Sequence, residues 1–291
     1  MIDFEFEFQY AEEKQPTLQK VGGSIPAGRC VVLCGGSGCG KSTLLRCING
    51  LIPQFYEGEL KGFCRLNGQD TAGIRIGEIG ELAASVFQDP RSQFFTVNSS
   101  NEVAFGLENH GLPQDKIRRR VDEAFRIFHL ERLKDRNVYE LSSGERQLIS
   151  ILSAWAMDIR YFLLDEPTAN LDFSSHAAVK RDSACPEKAG QNAAAQRAPT
   201  LLSCRHCRRI FGVMADGEIK GKYTAAEAKA FSVERRQTLS LRTLDLAEIT
   251  VPEKEPLPGK TAPTALAELR CLLYIRQEGR RYPLWCQLFR P

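Results

Sequence analysis

An octapeptide near the N-terminus, Gly35-Gly36-Ser37-Gly38-Cys39-Gly40-Lys41-Ser42, limits what this chain can fold into more than any other feature. It follows a short valine-bearing apolar run, Arg29–Cys34, and precedes residues of helical spacing from Lys41 to about Asn49. Strand, glycine loop and helix in that order form the context in which G-x-x-x-x-G-K-[ST] cradles phosphate. Glycines let the backbone curl so that successive N–H groups and the positive end of a helix face one anion. Lys41 adds a point charge for the β- and γ-phosphates of a nucleotide. Ser42 offers a hydroxyl to Mg²⁺, and Thr43 continues the same cradle.

A second feature lies far along the chain. Tyr161-Phe162-Leu163-Leu164 reads as a buried strand ending in Asp165-Glu166. Open α/β sheets bind ligands beyond the carboxyl ends of their strands, so the two carboxylates are expected to meet the phosphate loop. Asp165 is expected to hold Mg²⁺ through its water shell, and Glu166 to orient or deprotonate an attacking water. A carboxylate pair after a strand is by itself an ordinary solvated loop. The upstream phosphate loop is what gives this one a chemical reading.

Periodicity supplies the frame around these motifs. Phe4, Phe6 and Phe8 alternate with Glu5 and Glu7, the period of a half-buried antiparallel strand over Ile2–Tyr10. Residues 63–66 read as a strand with a turn at Asn67-Gly68, and residues 82–87 as another that closes at Gln88-Asp89-Pro90. Residues 101–130 read as two helices broken at Gly111 and Pro113, with Arg118, Arg119 and Arg120 on a solvated face. Residues 142–156 read as a further helix. Strands alternating with helices imply a largely parallel sheet.

Composition excludes several classes. The 291 residues, 43% hydrophobic, suffice for one large α/β domain and an appendage. With 39 basic against 36 acidic residues the charge is too even to argue for a nucleic-acid groove or a polybasic membrane anchor and by itself says nothing about partners; no nucleic-acid partner is expected. No apolar run reaches the roughly 20 residues of a membrane span, so a soluble, cytoplasmic chain is expected. Cys30, Cys34, Cys39 and Cys47 lie in core and loop elements of a large domain and read as reduced thiols. Cys204, His206 and Cys207 lack a second pair at zinc-site spacing.

Several motifs in order resemble those of the ABC ATPases, from about Phe4 to Asp172 and again at residues 214–220. Leu141-Ser142-Ser143-Gly144-Glu145 is similar to the family signature, which acts in trans on the γ-phosphate held by an opposing cassette. Read alone, it is a helix N-cap. Gln88 matches the Q-loop glutamine that touches Mg²⁺, and Asp172, in Ala169-Asn170-Leu171-Asp172, matches the D-loop. Tyr10 is similar to the aromatic that stacks on adenine. Gln93, in Phe87-Gln88-Asp89-Pro90-Arg91-Ser92-Gln93-Phe94, resembles the second glutamine of the energy-coupling-factor and cobalt-type group.

The resemblance implies a P-loop NTPase fold of the ABC cassette type: an N-terminal antiparallel β part, a mostly parallel core sheet, and a helical subdomain over about 98–141. It implies an ATPase subunit of a membrane importer for a vitamin or transition-metal ion, using ATP and Mg²⁺. Its partners would be a second cassette and a transmembrane subunit, which holds it at the inner face of the membrane. Two alternatives are a cassette that binds nucleotide but is impaired in hydrolysis, and a soluble cassette protein outside transport.

The departures from the family pattern are local. Ser143 stands where glycine is usual and Glu145 where glutamine is usual. The switch histidine is expected near position 198, where Ala198 stands; His206 falls eight residues late. Residues 187–201 read one nucleotide later permit Lys-Lys-Gln-Gly-Lys-Thr-Leu-Leu-Leu-Ser-Glu-His-Arg-Leu, with the histidine in the Ala198 slot. The same shift permits Gly-Val-Ser-Phe-Ser-Ala from Trp285 onward, similar to the opening of another cassette. The division read from sequence is therefore a cassette over 1–246 with a frameshifted stretch at about 181–208, a proline-rich linker over 247–268, and the truncated start of a second cassette over 269–291.

Overall fold

The computed structural model describes residues 1–26, 29–167, 208–224, 227, 230–238 and 271–275. The first sheet is antiparallel, with β1 (Ile2–Tyr10) between β2 (Leu18–Ile25) and β4 (Gly58–Leu66), and β5 (Gln69–Asp70) at the edge. In β1, Phe4, Phe6 and Phe8 are buried while Glu5 and Glu7 are exposed, as period-two alternation requires of a strand with one wet face. β4 starts at Gly58 and not at Phe63, because it pairs with β1 along its full length, from Ile2↔Leu66 to Tyr10↔Gly58. The hairpin to β5 turns on Asn67 (φ 55°) and Gly68 (φ 83°), two successive left-handed residues, as a type I′ turn needs.

The second sheet has six strands in the order β6-β7-β10-β3-β8-β9. They are β3 (Arg29–Cys34), β6 (Ala83–Val86), β7 (Tyr161–Asp165), β8 (Arg208–Ala215), β9 (Glu218–Thr224) and β10 (Cys271–Ile275). β6 runs parallel to β7 and β3 parallel to β8. The sheet separates two cores. Leu163, Val31 and Leu33 pack with Phe4, Phe6, Phe8 and helix α1 (Lys41–Ile48). Phe162, Leu164 and Val32 face the other way into Phe125, Phe128, Leu148 and Leu152. Every residue of Tyr161-Phe162-Leu163-Leu164 is thus apolar because both faces of β7 are covered, each large side chain contributing about 1.5–3 kcal/mol.

Helices α4 (Ser99–Asn109), α5 (Gln114–Ile127) and α6 (Ser143–Ala156) build the second core and match the expected helical segments closely. Helices α2 (Leu51–Gln54) and α3 (Ile76–Leu82), with β2, were not anticipated. Arg120 corrects the solvated-face reading of the arginine run. Arg118 and Arg119 are exposed, but Arg120 reaches onto the end of α6. It donates to the Ala156 carbonyl (2.9 Å), pairs with Asp158 (2.8 Å) and lies over the Trp155 ring. A long stem and five donors let one arginine of the three serve packing.

The centre of the six-stranded sheet holds an unexpected strand. β10 runs antiparallel to both neighbours, with Cys271 opposite Leu33 and Asp165, and Ile275 opposite Tyr161. These residues fall in the stretch read from sequence as the start of another cassette. Here they supply the backbone partners that the facing edges of β3 and β7 require. Asp172, Ala198, His206 and residues 256–263 lie outside the described residues.

Candidate nucleotide site

The glycine loop between β3 and α1 is folded so tightly that side chains are excluded at two positions. A Cβ on Gly35 would collide with the Met214 carbonyl of β8, and one on Gly40 (φ 97°) would lie 2.9 Å from the Thr17 carbonyl. Gly40 is also the N-cap of α1 and has no side chain to offer, so the first amides of the helix remain for a ligand. Lys41 is 6% exposed. Its ammonium donates to the carbonyls of Gly36 (2.6 Å) and Gly35 (3.3 Å) and to Cys39 Sγ (3.3 Å), so Gly36 and the buried Cys39 position the lysine.

This loop forms one wall of a cavity of about 480 Å³, the size range of nucleotide and cofactor sites. Ser37, Gly38, Gly40, Lys41, Ser42 and Thr43 line that wall. Tyr10, Glu13, Thr17 and Arg46 line a second, and Gln88 and Glu166 close a third. Ser42 and Arg46 stand four residues apart on α1, so helical spacing from Ser42 could have identified Arg46. Glu13 and Thr17, hydrogen-bonded to each other at 2.6 Å, carry no motif.

Gln88 and Glu166 come from the ends of adjacent parallel strands, β6 and β7. Gln88 Nε2 donates to Glu166 Oε2 at 2.8 Å. Glu166 sits at φ 43°, a left-handed conformation that turns the chain sharply after β7. Asp165 ends β7 half-buried but does not line the cavity. The donor set suits Mg·ATP: an anion cradle closed to a Cβ at Gly35 and Gly40, a buried lysine, a hydroxyl on Ser42, and two oxygen-bearing side chains opposite.

The lead-in to Gln88 is pinned by the second glutamine. Gln93 accepts from the Phe87 amide (3.2 Å) and donates to the Ser85 carbonyl (2.7 Å), bridging the end of β6 to the turn Pro90–Gln93. Beyond it, buried Glu102 accepts from the amides of Phe95 and Thr96 and from the Thr96 hydroxyl. Gln93→Ala removes both partners of one side chain and leaves an amide and a carbonyl to find others. The expected cost is about 1–2 kcal/mol, read as a lower midpoint in urea unfolding; an unchanged midpoint would show that the clamp contributes nothing.

The signature segment stands apart from this cavity, since none of Ser142, Ser143, Gly144 and Glu145 lines it. Ser142 N-caps α6, accepting from the Glu145 amide (3.2 Å), while Glu145 accepts from the Ser142 amide (3.0 Å), a complete capping box. Burial pushes the Glu145 carboxyl up, but the Arg132 guanidinium and the two Ser142 contacts outweigh it and hold the group below its usual range. Ser143 is exposed and Gly144 buried. The N-cap reading of this segment is therefore realised in the structure.

The comparisons agree with this geometry. A family described as "ABC transporter" matches residues 18–169. A Treponema denticola protein named "Putative ABC transporter ATP-binding protein" is 42% identical over 168 residues, covering 58% of this chain and 34% of the relative. A Lactobacillus johnsonii protein of the same description is 35% identical, covering 60% and 31%. The chain spans about a third of the length of the curated relatives it matches. Among solved structures, cbiO1 of Clostridium perfringens, part of the ABC transporter complex cbiONQ, aligns with a TM-score of 0.61 at 25% identity over 79% of this chain and 90% of that one. An ATP binding subunit of an ABC transporter gives 0.61 at 19% identity, covering 82% and 99%, a likeness of fold. With its glycine cradle, buried lysine and facing carboxylate set in that fold, the chain belongs to the ABC transporter ATP-binding family.

Proposed function

We propose that the chain binds and hydrolyses Mg·ATP as the energy-supplying subunit of a membrane importer. The observation that carries this reading is the convergence of Lys41, Ser42, Gln88 and Glu166 on one cavity from three separate elements. The Gly35–Gly40 backbone and Lys41 bind and orient the phosphates. Gln88 holds the Glu166 carboxylate in place, leaving Glu166 to take a proton from an attacking water. Ser42, Gln88 and, through water, Asp165 would hold Mg²⁺, which would supply neutralisation of the phosphate charge. Ser142, Ser143, Gly144 and Glu145 serve the site of a second cassette; the D-loop role given to Asp172 by resemblance falls outside the described residues.

A transmembrane subunit is proposed to dock beside the Q-loop. An apolar groove of about 330 Å³ lies there between Phe87, Gln93, Phe94, Phe105 and Met157, with Phe95 73% exposed at its rim. No helix among the described residues is long and apolar enough to cross a membrane, consistent with a peripheral subunit at the inner face. The likeness to cbiO1 and the second glutamine, Gln93, favour a vitamin or transition-metal cargo.

Glu166→Gln tests the hydrolytic role. The variant is expected to keep its affinity for an ATP analogue while any phosphate release falls by at least ~100-fold. Release that continues at the parent rate excludes Glu166 as the base. β10 favours a second reading, in which the chain binds nucleotide but turns it over slowly: the strand beside the site runs the wrong way to present a histidine from its carboxyl end.

A further inference from the structure

We propose that Arg46 is a positioning residue for the nucleobase: it locks Tyr10 as the wall against which the base of the bound nucleotide rests. The proposal rests on the nucleotide-site reading above and deepens it. Arg46 Nη1 donates to the Tyr10 hydroxyl at 3.2 Å. The same hydroxyl lies 3.2 Å from Thr43 Oγ1, so accepting from Arg46 leaves its proton free to go to Thr43. Its guanidinium also lies over the Tyr56 ring, 4.5 Å from the centroid. Tyr10 in turn meets Tyr56 edge-on at 6.3 Å and Phe8 edge-on at 4.7 Å.

These contacts have one consequence for the cavity wall. Tyr10 ends β1, where a side chain is free to rotate, yet here its ring is gripped by two aromatic edges and its hydroxyl by two groups of α1. Thr43 and Arg46 are one helical turn apart on the helix that opens with Lys41. The phosphate cradle and the aromatic wall are therefore tied into one rigid unit, and Arg46 is the tie that also reaches Tyr56. A half-buried cation–π contact and a charged hydrogen bond together suffice to hold one ring orientation. Arg46, Tyr10 and Thr43 all line the same cavity, which places the lock at the binding surface.

Equilibrium binding of a fluorescent ATP analogue to the full chain tests this, with inorganic tripolyphosphate as the competitor that lacks a base. Arg46→Ala is expected to weaken the ATP analogue by ~10-fold while leaving tripolyphosphate within twofold. Arg46→Lys, which keeps the cation over Tyr56, is expected to recover part of the loss. Tyr10→Phe lacks the hydroxyl that Arg46 grips, so in the double variant Arg46→Ala is expected to cost clearly less than it does alone.

Equal losses for ATP and tripolyphosphate would place Arg46 on the phosphates and overturn the proposal. So would unaltered ATP binding by Arg46→Ala, or full additivity with Tyr10→Phe. If Arg46→Ala does not fold, the Arg46→Lys and Tyr10→Phe pair carries the same test through its coupling. A parent chain that binds neither probe overturns the nucleotide site itself, and Arg46 with it.

Discussion

Replacing Lys41 with alanine is expected to abolish binding of an ATP analogue, raising the dissociation constant by at least ~100-fold. Lys41 is 6% exposed and its ammonium is held between two loop carbonyls, so its charge acts in a site where water screens it poorly. Backbone amides alone carry partial charges, and they cannot offset the charge of two adjacent phosphates. The substitution also acts on the loop itself. Without Lys41, the Gly35 and Gly36 carbonyls lose a donor, a cost of about 1–3 kcal/mol in stability if no water replaces it. A thermal melt separates the two effects: the variant is expected to remain folded with a lowered Tm and no ligand-induced rise. A ligand-induced rise equal to that of the parent chain would remove Lys41 from the binding machinery.

The parts of this molecule that could be read from sequence are those where local pattern and tertiary environment say the same thing. Alternation in β1, the fully apolar Tyr161-Phe162-Leu163-Leu164 of β7, and the glycine loop each determine their surroundings within a few residues. The first half of β4, where Leu60 is only half-buried and its neighbours are exposed, shows no such alternation and is held by pairing with β1. β2 has two glycines in its middle, which mask its strand character until the partner is known. Glu13 and Thr17 are not legible at the site because their placement depends on how β1 and the turn after it lie against α1, whereas Arg46 carries a local signal in its helical spacing from Ser42.

Arg120 and Gln93 show the converse limit. Arg120 looks like its two neighbours in sequence, and only the position of Trp155, Ala156 and Asp158 at the end of α6 separates it from them. Gln93 was noticed as a family-like glutamine, but its work here, bridging Ser85 and Phe87, depends on the turn at Pro90–Gln93 bringing it back onto β6. β10 is the extreme case. Cys271-Leu272-Leu273-Tyr274-Ile275 is apolar enough for any buried strand, and nothing local specifies which sheet it joins or in which direction.

Direction is what makes the last prediction. Ligands of open α/β sheets sit at the carboxyl ends of parallel strands, and β3 and β7 deliver the glycine loop and Asp165 to that edge. Between them β10 runs the other way, bringing Cys271 to the edge beside Leu33 and Asp165. A strand so oriented cannot extend from its carboxyl end to the phosphates. The shifted reading of residues 187–201 permits an apolar Thr-Leu-Leu-Leu and, after two intervening residues, a histidine. We therefore expect a chain carrying that fourteen-residue sequence in place of residues 187–200 to release phosphate at least ~10-fold faster than the parent, since one well-placed donor to the reacting phosphate contributes about 10²–10³ in rate. Alanine in place of the introduced histidine is expected to reverse the gain while leaving ATP affinity unchanged. Equal turnover by the two chains, or brisk Glu166-dependent turnover by the parent, would mean that the site completes itself without the parallel strand.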